Sequence, residues 1–205
     1  MGKTNIFLVR HGEKNVEGKN SLANAKTHLS EKGKKQAQLL AKRLNTMTQR
    51  KPGTASTMEK IVINKIISSD LPRCVQTAKI INKVLKKPIS YDSALREITG
   101  SSLNSIREKG KEKKDIRKFY ENITKEKGNL LVVTSGNVIK YFVSRIWNIP
   151  SKKVSLALCA SAFNHFTVDE KGKTNIVCLN DSKHLTDKLK ISKHMVKRDL
   201  KSSKK

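Results

Sequence analysis

Apolar positions along this chain alternate between two periods. Residues 6–9 and 130–133 are unbroken apolar runs of four, and residues 61–69 are mostly apolar, the pattern of strands buried on both faces of a parallel sheet. Between them the period lengthens. Ala37, Leu40, Ala41, Leu44 and Met47 recur at helical spacing behind Ser30, a good N-cap residue. Val75, Ala78, Ile81 and Leu85 line a second helix, with Asp70 expected as its cap and Pro72 in its first turn. Val138, Phe142, Val143 and Ile146 line another helix, opened by Ser135-Gly136.

Residues 161–168 and 174–179 alternate like strands, and Asp169-Glu170-Lys171-Gly172 between them makes an antiparallel hairpin. Residues 11–28 read as a long functional loop and residues 50–58 as a surface loop. Residues 99–128 read as a solvated helical excursion anchored by Ile106, Ile116, Phe119 and Tyr120. Strand and helix thus alternate up to the hairpin. That order predicts an α/β three-layer sandwich whose sheet is mostly parallel with an antiparallel edge hairpin. A length of 205 residues suits one domain, assigned to residues 1–182, followed by a basic C-terminal tail at 183–205 that carries nine Lys or Arg and two Asp.

Charge narrows the list of partners. There are 44 Lys and Arg against 17 acids, a formal net charge of +27, which favours anionic partners. Lysines supply 35 of those 44 and are spread over the whole chain, and aromatic content is 4%, so a nucleic-acid surface built on Arg and stacking rings is not favoured. No apolar run approaches the roughly 20 residues of a membrane span, and the N-terminus lacks a secretory pattern, so a cytoplasmic location is expected. Cys74, Cys159 and Cys178 have neither disulfide nor zinc spacing. Two readings stand for Cys74, a buried inert thiol or one whose pKa is lowered beside Arg73.

A parallel sheet gathers its chemistry at the carboxyl ends of its strands. Three such ends carry informative residues: Arg10-His11-Gly12-Glu13, Ser68-Ser69-Asp70-Leu71-Pro72-Arg73, and Thr134-Ser135-Gly136-Asn137. Arg10, Arg73 and His11 meeting at one point would make a phosphate pocket, since guanidinium forks match phosphate oxygens. A helix N-terminus at Gly136 would add backbone donors.

These stretches carry a resemblance. Leu8-Val9-Arg10-His11-Gly12-Glu13, Leu29-Ser30-x-x-Gly33-x-x-Gln36-Ala37, Ser69-Asp70-Leu71-x-Arg73-x-x-Gln76-Thr77-Ala78, Leu95-x-Glu97 and Val132-Val133-Thr134-x-Gly136-Asn137-Val138-Ile139 together resemble the histidine phosphatase superfamily, with its phosphoglycerate-mutase-like fold. Residues 11–18 and 136–142 are most similar to the branch of phosphoglycerate-mutase-like protein phosphatases, without the membrane anchor typical of its mitochondrial members. The resemblance implies that His11 is a nucleophile that takes a phosphoryl group, that Arg10 and Arg73 bind its oxygens with Ser135 and Gly136, and that Glu97 protonates the leaving oxygen. It implies no metal and no cofactor. The expected partner is a phosphorylated small molecule or a phosphoprotein, with a phosphate ion fitting the pocket.

Two departures qualify that expectation. Ser135 stands where the family has a second histidine, and loss of one such donor costs on the order of 100- to 1000-fold in turnover, so slow hydrolysis, or a phosphate reader without turnover, is expected. Glu17 stands near a position where mutase members carry asparagine and tells against mutase activity. Some positions keep a plainer reading beside the functional one: Ser135 as an N-cap, Glu97 as a solvated loop acid, and His165, between Phe163 and Phe166, as a structural strand residue.

Overall fold

The computed structural model describes residues 4–15, 26–49, 62–97 and 111–190. Glu17, Ile106, the 50–58 loop and residues 191–205 lie outside them, as does most of the 11–28 loop. A six-stranded sheet forms the middle layer, from β1 (Thr4–Arg10), β2 (Lys65–Ser68), β3 (Ile89–Tyr91), β4 (Asn129–Thr134), β5 (Phe163–Val168) and β6 (Thr174–Asp181), in the order β3-β2-β4-β1-β5-β6. β3, β2, β4 and β1 run parallel, while β5 is antiparallel to both β1 and β6. The expected sandwich and hairpin are present. The parallel edge strand β3 was not anticipated, because three residues behind Pro88 carry too little alternation to read as a strand.

Alternation along β1 explains the layers. Phe7 and Val9 face a cluster completed by Leu40, Ala41 and Leu44 of α1 (Glu31–Gln49) and by Cys74, Ala78 and Ile81 of α2 (Pro72–Leu85). Ile6 and Leu8 face the opposite cluster, with Ile116, Phe119 and Ile123 of α3 (Lys111–Ile123) and Val138 and Phe142 of α4 (Gly136–Ile146). Each central strand is therefore covered on both sides, which is why its sequence is apolar without a break.

Capping shows one agreement and one difference. Ser30 Oγ accepts from the Gly33 N–H at 3.0 Å, as its N-cap position predicts. Asp70 does not cap α2; Leu71 occupies the cap position, and the Asp70 carboxylate instead receives both Nε and NH2 of Arg96 at 2.8 and 2.5 Å. Helix α2 buries Cys74 and Thr77 beside Ala78, while Val75 is only partly covered.

Residues 183–190 pack against the domain. Leu185 is buried, and the Arg43 guanidinium of α1 bonds the Asp181 carboxylate through NH1 and NH2 at 2.7 and 2.6 Å, with His184 Nδ1 alongside at 3.5 Å. A short helix, α5 (Asp187–Lys190), follows. Arg43 also lies 4.8 Å from the centroid of Phe163, so the pair sits on apolar ground. Removing one partner strands the other charge, so Asp181→Asn should lower the unfolding free energy by at least about 1.5 kcal/mol, short of the about 3 to 5 typical of fully buried pairs. Urea denaturation of both proteins measures it.

Candidate active site at the carboxyl end of the sheet

Strand register brings the informative residues level. Arg10 pairs with Thr134, the His11 N–H donates to the Thr134 carbonyl at 2.9 Å, and the Ser69 N–H donates to that of Val133 at 2.9 Å. β1, β4 and β2 thus end side by side and deliver His11, Ser135 and the start of α2 to one rim. Pro72 and the extended Leu71 turn the chain straight into α2, so Arg73 points back under the rim, buried despite its charge.

Arg73 Nε lies 3.3 Å from His11 Nε2, and its NH2 donates to Glu97 Oε2 at 2.7 Å. Glu97 is carried by the loop after the 3-10 turn Ser93–Leu95, which Asp92 caps through the Ala94 N–H and which Thr134 Oγ1 ties down by donating to the Leu95 carbonyl at 2.8 Å. Arg10 donates through NH1 to the Leu158 carbonyl. Its Nε is buried and lacks a partner, as does the Ser135 hydroxyl at the start of α4. An ideal Cβ on Gly136 would lie 3.7 Å from Arg10 Nε, so glycine there keeps the space beside that donor open.

The imidazole is neutral. Burial is the largest cause, and Arg10, Arg73 and Lys14 add to it by repulsion, together pushing His11 down to about 3. His11 Nδ1 lies 2.7 Å from the Gly12 carbonyl oxygen, which can only accept, so Nδ1 carries the proton and the Nε2 lone pair points towards Arg73. Burial also lowers the Arg10 and Lys14 pKa values against the pull of Glu97, the mark of cations crowded in a poorly hydrated place. Three cations around one carboxylate and two idle buried donors make a site that would welcome a small, highly charged anion.

The structure brings His11, Arg10, Arg73, Glu97, Ser135 and Gly136 to one rim. Cys74 takes the plainer of its two readings: it is fully buried, and burial pushes its thiol up to about 12. His165 is a strand residue stacked on Phe7 at 4.4 Å, with Nε2 2.8 Å from Asn5 Oδ1. His28 lies against Gln76 at 2.9 Å. Sequence reading gave no role to Lys14, Thr77 or Gln36. Thr77 Oγ1 accepts the Gly12 N–H at 3.1 Å and Gln36 Oε1 accepts the Glu13 N–H at 2.8 Å. Both sat inside quoted motifs, and a buried polar residue on an apolar helical stripe was the signal available. The Leu158 carbonyl had none. Among the described residues no three of His, Cys, Asp and Glu are grouped to hold a metal ion, and no helix is long and apolar enough to cross a membrane.

Fold and site together define a phosphoglycerate-mutase-like α/β protein, and comparison with known proteins places it further. The model of the histidine phosphatase superfamily (branch 1) matches residues 6–121, more than half the chain; the protein belongs to that family. The serine/threonine-protein phosphatase Pgam5, mitochondrial, of Drosophila ananassae is 28% identical over 202 residues, covering 86% of this chain and 63% of the relative. This chain thus spans a little under two thirds of that relative's length. Among solved structures, a phosphoglycerate mutase from Plasmodium falciparum matches with a TM-score of 0.58 and 24% identity, over 90% of this chain and 95% of that one. A phosphoserine phosphatase mutant from Entamoeba histolytica, in complex with phosphoserine, matches with a TM-score of 0.62 and 17% identity, over 89% and 100%. Both show the shared fold. The cytoplasmic location expected from the sequence does not stand, because the curated relatives at 28 to 29% identity are named as mitochondrial; a lack of leader and anchor patterns was too weak a basis for it.

The histidines set an acid sensitivity. His11 is held near 3 and His184, by burial and Arg43, near 4, so the native state binds fewer protons than the unfolded chain, whose histidines titrate near the ordinary 6.5. This stability is whole above pH 6.5 and is lost as pH falls towards 4 and then 3. Melting temperature should drop across that interval, and His11→Asn should flatten the drop, as thermal unfolding followed by circular dichroism at stepped pH will show.

Proposed function

We propose that the protein is a phosphomonoester hydrolase that works through a phosphohistidine at His11. The observation that carries this reading is the neutral imidazole, its Nε2 held beside Arg73 while Arg10 Nε and Ser135 Oγ stand buried without partners. A phosphoryl group entering here takes up those idle donors. Arg73 turns from Glu97 to the phosphate oxygens, and the freed carboxyl faces the leaving group.

In the first step the freed Glu97 carboxylate takes up the proton that a monoanionic phosphate ester carries in, Nε2 attacks phosphorus in line, the P–O bond to the leaving group breaks, and the leaving oxygen takes that proton from Glu97. In the second, Glu97 takes a proton from water, whose oxygen displaces the imidazole from phosphorus and regenerates neutral His11. Charge on the three equatorial oxygens is met by Arg10, Arg73 and the start of α4. The substrate class is a phosphorylated protein side chain or small molecule. The name of the Drosophila relative supports the former.

The unpartnered Ser135 hydroxyl favours a second reading, in which binding persists and turnover does not. A serine donates one hydrogen bond without charge where the family has imidazole, so Ser135→His should raise kcat on an aryl phosphate by about 100-fold. His11→Ala should abolish turnover and the acid-labile phosphate trapped after mixing with a phosphodonor. Turnover that survives His11→Ala would sink the phosphohistidine route, whereas tight phosphopeptide binding without wild-type turnover would establish the second reading.

A further inference from the structure

Among the described side chains of helix α1, one polar group is buried in the apolar stripe. Gln36 is 1% exposed between Gly33, Ala37 and Leu40, where an aliphatic residue would satisfy packing. Burying an amide is unfavourable unless its ends are hydrogen-bonded, and both are. Oε1 accepts the Glu13 N–H at 2.8 Å, and Nε2 donates to the Leu189 carbonyl of α5 at 2.7 Å. Rotating the amide by half a turn would set donor against donor and acceptor against acceptor, so the two neighbours fix its orientation.

The Glu13 N–H belongs to the same peptide unit as the Gly12 carbonyl, and in a trans peptide the two groups point in opposite directions. That carbonyl lies 2.7 Å from His11 Nδ1. A series of hydrogen bonds therefore runs from the Leu189 carbonyl through the Gln36 amide and the 12–13 peptide to the imidazole. The peptide needs such a hold. Gly12 has no side chain to restrict its rotation, and none would fit, since a Cβ there would lie 2.5 Å from the Gly33 carbonyl oxygen. Thr77 secures the peptide before Gly12 at 3.1 Å, and Gln36 secures the one after it.

We infer that Gln36 is a positioning residue for His11: by clamping the 12–13 peptide it presents a carbonyl to Nδ1, which keeps the proton there and leaves Nε2 unprotonated, its lone pair available to phosphorus once Arg73 Nε turns from it to a phosphate oxygen. Aligned dipoles along such a series strengthen one another. The catalytic value of this arrangement rests on the nucleophile role proposed for His11; the tautomer it enforces does not. α5 thereby takes part in the site at second hand, because its carbonyl orients the amide.

The test uses the full chain labelled with 15N-histidine, the His11 signals being assigned by their loss in His11→Asn. Wild type should show a single Nδ1–H tautomer. Gln36→Leu should shift His11 to a mixture of tautomers and lower kcat on p-nitrophenyl phosphate by about 10- to 100-fold, the scale of losing an orienting partner of a histidine, with KM little changed. Gln36→Glu, held as the neutral acid in this buried place, keeps an oxygen for the Glu13 N–H and an O–H for the Leu189 carbonyl and should restore the single tautomer and most of kcat. Wild-type tautomer and kcat in Gln36→Leu would overturn the proposal, and so would equal loss in both variants with equal fall in melting temperature, which marks a packing role. Wild type without turnover would count against the phosphatase reading alone, and the tautomer measurement would still decide the role of Gln36.

Discussion

Everything at this site depends on keeping cationic side chains together in a place with little water. Arg73 is fully enclosed, and burial presses on Arg10 and Lys14 as well. A charge taken out of water is costly unless it is met by another charge or by hydrogen bonds, so each cation needs an answer. The protein supplies a partial one. Glu97 meets Arg73, the Leu158 carbonyl meets Arg10, and His11 stays uncharged because a further positive group there would be prohibitive. Arg10 Nε and the Ser135 hydroxyl stay buried without partners, and they are what supports the proposed reading of this end of the sheet as a receptor for an anion.

The sheet makes that crowding possible. Parallel strands end in register, so three connections separated widely in sequence open onto one edge, and each carries its polar residues just beyond the last buried apolar one. Two apolar layers, one on each face, hold the strand ends still. The same helix that lines one of these layers with Leu40 and Leu44 brings Gln36 to the loop after His11, so core packing and the hold on that loop share an element.

Much of this was legible in the sequence, for physical reasons. Strands β1 and β4 show as unbroken apolar runs because both faces are covered, and α1 shows as a stripe because one face is. Edge strands and caps were harder. β3 is too short to establish a period, and Asp70 had two possible partners, the α2 backbone and Arg96, of which tertiary contact chose the second. At the site, the motifs located the charged residues but could not give the direction of a hydrogen bond. That the Gly12 peptide is held by Thr77 on one side and Gln36 on the other depends on two helices meeting one loop, a fact of tertiary structure.

The close crossing of Gly12 and Gly33 has one more consequence. Cβ atoms built on Gly12 and Gly33 would lie 2.5 and 2.0 Å from the carbonyl oxygens of Gly33 and Glu13, so the two backbones touch with nothing compressible between them. The first turn of α1 and the stretch after His11 are therefore fitted to each other backbone against backbone. A side chain on either glycine would have to pry the two backbones apart, and the 19-residue α1 has little room to yield, because Leu40, Ala41 and Leu44 anchor it in the apolar layer beneath.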